Sequence, residues 1–241
     1  MKQIIGALFI ILSTMSCGIA EEYHFVSIEN LIEQEVGRLI IPEFYKKLGI
    51  KITISPKPGK RAQLMASTGN KDGEIMRIWT YGNETPTTIR VPTPYYQLET
   101  MPFIRKGSDV EINSKSDLKK YRIAKVRGVK HTDNITRGLT EVSDFNSTKK
   151  MMQIFKHRAS IDVALTNTID GIIELNRLGV VDIIPLKRPL ATLDLYHYIH
   201  NDHAELVPRI DSVIKEMKSN GELKALIKKA EKIVIGKHQN K

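Results

Sequence analysis

Residues 122–132 read Arg-Ile-Ala-Lys-Val-Arg-Gly-Val-Lys-His-Thr. The short apolar run from Arg122 to Val126 is a strand pattern. Arg127-Gly128 breaks it, and helical patterning takes over from Thr132 to Leu139. Strand, loop, helix is the repeating unit of α/β proteins.

The same alternation extends outward in both directions. Upstream, strand patterns at 23–28, 50–54, 74–79 and 98–104 alternate with helices at 31–48 and 60–67. Ile50, Ile52 and Ile54 alternate with polar residues, as a half-buried strand requires. Asp72-Gly73 is a turn signal, and Pro42 is expected to bend the first helix. Downstream, strands at 142–145, 161–165, 181–184 and 195–199 alternate with helices at 148–158 and 169–178. Two closing helices are expected, one from a capping box at Asp202 and Glu205 to Met217, kinked at Pro208, and one over 222–232. Ser116-Asp117-Leu118 opens a shorter helix. Strands alternating with helices predict an α/β fold with largely parallel sheets.

The chain has 241 residues and a net charge of +10. Met1-Lys2-Gln3, the apolar run Ile4 to Leu12 and the small residues up to Ala20 follow the order of a secretory leader, so residues 1–20 are expected to be removed on export. Two processing schemes are open. Gly18-Ile19-Ala20 suits soluble release; Cys17 would be acylated if Thr14-Met15-Ser16-Cys17 acts as a lipoprotein box. Release is favoured, because a better box carries Leu at position 14. Cys17 is the sole cysteine, so the released chain would need a packed core rather than disulfides. No later segment is apolar enough to cross a membrane. The basic residues are dispersed rather than clustered, and export argues against nucleic acid as a partner.

Several short segments, in order, resemble the family 3 extracellular solute-binding proteins, the polar amino-acid binders of bacterial ABC importers. These are Asp72-Gly73, Pro94-Tyr95-Tyr96, Ile112-Asn113-Ser114 through Asp117-Leu118, Ile123 to Gly128, Ile161-Asp162-Val163-Ala164 and Met217 to Gly221. The resemblance implies a two-lobed periplasmic-binding-protein type II fold with two hinge-crossing strands. Residues 22–104 and 195–241 would form lobe 1, residues 105–194 lobe 2, and the ligand would lie between them. It also implies a periplasmic monomer that takes a small polar solute and hands it to a membrane permease or receptor.

Candidate binding residues follow. The loop Arg127-Gly128-Val129-Lys130-His131-Thr132 precedes a helix, where free N–H groups favour an anion; the family uses this loop on a ligand carboxylate. Gly128 allows close backbone approach, and Thr132 adds a hydroxyl. Thr87-Thr88-Ile89-Arg90 has the T-x-x-R spacing of the family's carboxylate clamp, although Tyr95 follows Arg90 sooner than in the family. Arg61 and Arg77 are alternative clamps. Trp79, Tyr81, Tyr95 and Tyr96 are candidate aromatic walls. Asn167 stands where the family has the aspartate that receives the ligand ammonium. An amide brings no counter-charge, which weakens the case for an α-amino acid and leaves room for another carboxylate or polar solute.

No metal or cofactor is expected. His197 and His200 fall on opposite faces of a strand, and His203 lies beyond its end. No nucleophile, phosphate-loop or metalloprotease motif occurs. The chain therefore reads as a binding protein and not an enzyme. The alternatives are a dehydratase on the same fold, with Glu74, Asp162 or His131 as its acid or base, and a ligand-free envelope scaffold.

Overall fold

A computed structural model describes residues 22–127 and 129–239. The leader expected over 1–20, Cys17 and Gly128 lie outside the described residues. The elements run β1 (Glu22–Ile28), α1 (Ile32–Lys47), β2 (Lys51–Lys57), α2 (Gly59–Ser67), β3 (Gly73–Ile78), α3 (Tyr81–Glu84), β4 (Thr88–Arg90) and β5 (Tyr96–Arg105). They continue through β6 (Ile123–Val126), α4 (Lys130–Thr136), β7 (Val142–Phe145), α5 (Thr148–His157), β8 (Val163–Thr166), α6 (Thr168–Arg177), β9 (Ile183–Pro185), β10 (Ala191–His200), α7 (Leu206–Ser219) and α8 (Glu222–Gln239).

Local chemistry explains several boundaries. Glu33 and Glu35 sit in the first turn of α1, and Lys46 and Lys47 in its last, as the helix dipole favours. The helix continues through Pro42. Ser147 caps α5 by accepting from the Lys150 N–H at 3.2 Å, and Asn167 caps α6 through the Ile169 N–H at 3.3 Å. The capping box expected at Asp202 and Glu205 does not form. Residues Asn201–His203 make a 3-10 turn instead, and α7 begins at Leu206. Pro208 therefore occupies the first turn, where its missing N–H has no intrahelical partner to lose, so no kink is required. A capping box does form at Ser114 and Asp117.

Strand order is β2-β1-β3-β10-β5-β8-β6-β7, with β4 added to β10 and β9 to β5. β1 is parallel to β2 and β3, and β6 is parallel to β7 and β8. β5 and β10 run antiparallel to each other over Tyr96–Thr100 and Ala191–Leu195. β10 then continues along β3 and β4, while β5 continues along β8 and β9. Gly73 marks the tight approach of β3 to β10: a Cβ there would fall 2.0 Å from the Tyr198 carbonyl oxygen.

Among the described residues, three larger apolar cores and two small clusters fill the layers. The largest joins Phe25, Ile40, Phe44, Tyr45, Ile75 and Ile210 beneath the β1–β3 sheet. Phe103, Met151, Met152 and Phe155 pack on one side of the β6–β8 sheet, and Ile104, Leu118, Ile123 and Leu165 form the other core. Among the described residues no helix is long and apolar enough to cross a membrane.

Two contacts yield tests. A Cβ on Gly171 of α6 would meet the fully buried Phe103 ring at 2.2 Å. Gly171→Ala should therefore destabilise by about 1–3 kcal/mol, since the ring has no space to yield. Chemical denaturation measures this, and an unchanged midpoint would contradict the packing. Asp170, one residue earlier, buries an unpartnered Oδ1. Burial, then the nearby Glu33 and Glu174 charges, pushes its pKa up to about 8. Between about pH 4, where an unfolded aspartate ionises, and pH 8 the folded chain keeps a proton that the unfolded chain releases. Its contribution to stability thus falls as pH rises through that window. Asp170→Asn should raise the melting temperature at pH 8 and change it little at pH 4, a difference that paired thermal melts would show.

Candidate functional site

The residues of β3, β4 and β10 bring two arginines and four aromatic rings together. Arg77 lies opposite Tyr196 across the β3–β10 ladder, and Arg90 opposite Tyr198 across the β4–β10 ladder. The Arg90 guanidinium carbon stands 3.0 Å from the centroid of the Trp79 ring and 5.1 Å from that of Tyr196. Trp79 and Tyr196 meet edge to face at 5.9 Å. The Arg77 guanidinium lies 4.4 Å from the Tyr81 ring centroid, and Tyr81 packs edge-on against Tyr198. Cation–π contacts of this kind contribute about 0.5–2 kcal/mol each and hold the guanidinium plane against the ring.

Charge balance here is incomplete. Arg77 faces Glu74 at 3.5 Å, and Glu74 is fully buried. The Tyr81 hydroxyl donates to the other Glu74 oxygen at 2.6 Å. Burial raises the Glu74 pKa, opposed by Arg77 and Tyr81. The Nε–H groups of both Arg77 and Arg90 are buried and lack an acceptor. Trp79, by contrast, is 55 % exposed. An exposed indole carrying a stacked guanidinium with an unused donor is suited to a planar anion, because a carboxylate accepts two parallel N–H bonds from one arginine.

The other sequence candidates are dispersed. Arg61 is exposed on α2. Tyr95 is 1 % exposed, packs edge-on against Phe44 and accepts from the Met76 N–H at 2.9 Å, so its ring is part of the main core. The Tyr96 hydroxyl donates to Glu231 of α8 at 2.9 Å. Arg127 is exposed beside Gly128. Thr132 is buried and its hydroxyl donates back to the Val129 carbonyl at 2.9 Å. Near the start of α4, Lys125 contacts Asp133 and Asp144 at 2.5 and 2.6 Å. Burial opposes its charge, but the two carboxylates raise its pKa overall.

The sequence candidates for acid–base work are also tied to structure. Asp162 forms a two-pronged pair with Arg122. His131 bonds Thr100 at 2.7 Å, and burial pushes its pKa down to about 4, leaving it neutral at pH 7. His197 bonds Tyr45, His203 bonds Asp72, and His200 lies beside Asp202. Among the described residues no group of three metal-ligating side chains occurs.

A separate cavity of about 660 Å³ opens between the start of β5, the first turns of α6, and α8. Asn167 and Tyr95 line it, together with Glu99, Ile172, Ile227 and Glu231, and none of Arg77, Trp79 or Arg90 does. Tyr196 and Tyr198, which complete the arginine cluster, carried no sequence signal of their own. Only their strand pairing with Arg77 and Arg90 reveals them.

No family model matches the sequence. An uncharacterised protein of Shewanella oneidensis is 24 % identical over 191 residues, covering 77 % of this chain and 72 % of the relative. Among solved structures, an ancestral cationic amino acid solute-binding protein superposes with TM-score 0.66 at 15 % identity, covering 86 % of this chain and 94 % of that one. A histidine kinase sensor domain with similarity to periplasmic binding proteins gives TM-score 0.61 at 14 % identity, covering 87 % and 96 %. The substrate-binding protein AbpA of an amino acid ABC transporter from Streptococcus pneumoniae, bound to L-arginine, gives 0.59 at 14 %, covering 89 % and 96 %. At such identities the likeness concerns the fold. With its parallel-stranded sheets joined through the antiparallel β5 and β10, the chain has the two-lobed fold of the type II periplasmic binding proteins.

Proposed function

We propose that this chain is an exported solute-binding protein that closes on a small polar, carboxylate-bearing ligand, an amino acid or a related acid, and carries out no chemistry on it. Residues 22–104 and 195–241 form one lobe in this reading, and 105–194 the other. The ligand's carboxylate joins Arg90, with Arg77 beside it and Trp79 as the wall, while the loop from Arg127 through Gly128 to Lys130 closes over it from the second lobe. The observation that carries the reading is the pair of buried arginine Nε donors without acceptors beside an exposed, stacked indole. A bound carboxylate supplies the missing acceptors and the missing negative charge together. Solved proteins of the same fold that bind amino acids for ABC transporters support the solute class.

The proposed route is release to the periplasm after removal of residues 1–20, followed by delivery of the solute to a separate membrane permease or receptor by a monomer. Closure by hinge motion would couple binding to that delivery. The dehydratase alternative gains nothing from Glu74. That side chain is fully buried and held by Tyr81 and Arg77, out of reach of a substrate.

Trp79 is the single tryptophan among eight tyrosines, so selectively excited tryptophan emission reports on this site alone. Titration with L-amino acids and small organic acids should give a saturable emission change for one class of carboxylate. Thermal stability should rise with the same ligand, by about 2.7 kcal/mol at a hundredfold excess over Kd. Arg90→Ala should abolish both responses while leaving the unliganded chain folded. A ligand response unchanged in Arg90→Ala would remove Arg90 from the site, and no saturable response to any carboxylate would remove the function.

A further inference from the structure

The cavity between β5, α6 and α8 carries chemistry that the solute site does not use. Its walls include Ile169, Ile172, Leu223 and Ile227, an apolar lining suited to a hydrocarbon or aromatic body. The lining also holds three carboxylates, Glu99, Asp194 and Glu231, and the amides of Gln97 and Asn167. The Gln97 amide donates to Asp194 at 2.9 Å, which leaves Glu99, Glu231 and Asn167 to be accounted for. The Glu231 carboxylate accepts from the Tyr96 hydroxyl at 2.9 Å, and the Glu99 carboxylate from the Thr168 hydroxyl at 2.5 Å. Neither makes an ion pair with a lysine, arginine or histidine among the described residues. Burial raises the Glu231 pKa, and the charge of Glu99 raises it further, which places the two acids within electrostatic reach of each other. Lys218 and Lys224 also border the cavity, but both are exposed to water.

The Asn167 amide is the second, independent observation. Asn167 is 4 % exposed. Its Oδ1 is engaged in capping α6 through the Ile169 N–H, which fixes the orientation of the group. Its Nδ2 is buried and has no acceptor. A buried donor left unpaired carries the full penalty of its lost hydration, and an acceptor on a bound molecule would recover it.

From these features we infer that the cavity is a second small-molecule site, selective for a primary amine on an apolar body. The ammonium meets Glu231 and Glu99, the body lies against Ile172 and Ile227, and an acceptor or π face meets the Asn167 amide. One wall belongs to β5 and α8 and the facing wall to α6, so an occupant bridges the start of the crossing strand and the helix beyond it. The inference stands apart from the carboxylate site, with which the cavity shares neither arginine nor Trp79.

The test uses the full chain and three isosteric probes: phenethylamine, 3-phenylpropionate and 2-phenylethanol. Calorimetric titration should show saturable binding of phenethylamine, with the acid and the alcohol at least about tenfold weaker, as expected for loss of a charge-assisted contact. Glu231→Gln keeps an acceptor for Tyr96 and removes the charge, and should weaken the amine by about tenfold. Ile172→Trp fills the cavity and should block the amine while the chain still melts cooperatively. Arg90→Ala should leave amine binding intact, which separates this site from the carboxylate site whichever of the two fails. Absence of saturable amine binding would overturn the proposal. So would equal affinity for 3-phenylpropionate, and so would loss of amine binding in Arg90→Ala.

Discussion

Ala191 to Leu195 pair antiparallel with Thr100 to Tyr96, and both sheets grow outward from that short ladder. On one side β10 runs on to pair with β3 and β4; on the other β5 runs on to pair with β8 and β9. Backbone hydrogen bonds set this register, and side-chain direction follows from it. Tyr196 and Tyr198 of β10 thereby meet Arg77 and Arg90 from the flanking strands. On β5, Thr100 receives His131 of α4 while its neighbour Glu99 receives Thr168 of α6. Slippage by one residue would exchange those partners and dismantle both the arginine cluster and the cavity.

A second system of contacts depends on α8. Glu35 in the first turn of α1 bonds Lys237 and His238 near the end of α8 at 2.9 Å each. His238 in turn meets Arg177 of α6, and Arg177 pairs with Glu174 at 2.7 Å. Around this chain of charges lie Glu33, raised in pKa by burial, and Asp170, raised for the same reason. Acid groups are thus collected where α1, α6 and α8 converge, in a chain whose overall charge is +10. Protonation of Glu33 and Asp170 favours the folded contact, whereas Glu35, despite its burial, is held ionised by Lys237 and His238 of α8.

Much of the fold was legible because periodicity and turn residues report on local structure. Alternation at Ile50, Ile52 and Ile54 gave β2, and the Arg122–Thr132 stretch gave β6 leading into α4. The short α3 and β4 escaped, since a four-residue helix and a three-residue strand have no period to detect. Met76 adopts a positive φ of 55° inside β3, which a methionine does not announce. The arginine cluster was half visible. Arg90 is marked by the T-x-x-R spacing of the resembled family, Arg77 as an alternative clamp and Trp79 as a candidate aromatic wall, but their convergence rests on strand pairing across more than a hundred residues to Tyr196 and Tyr198. Tyr95 and Thr132 are ligand-contact candidates by position, and the structure adds an internal hydrogen bond to each. Asn167 was singled out for its amide, yet the cavity it lines exists only once α8 folds back over α6.

In the proposed function two lobes close around a carboxylate at Arg90. Small-angle X-ray scattering of residues 21–241, recorded with and without the carboxylate that perturbs Trp79, tests closure directly. The radius of gyration should fall on saturation with ligand, and Arg90→Ala should show no such fall. A ligand that binds at Trp79 and leaves the scattering profile of the intact chain unchanged would contradict the closing mechanism.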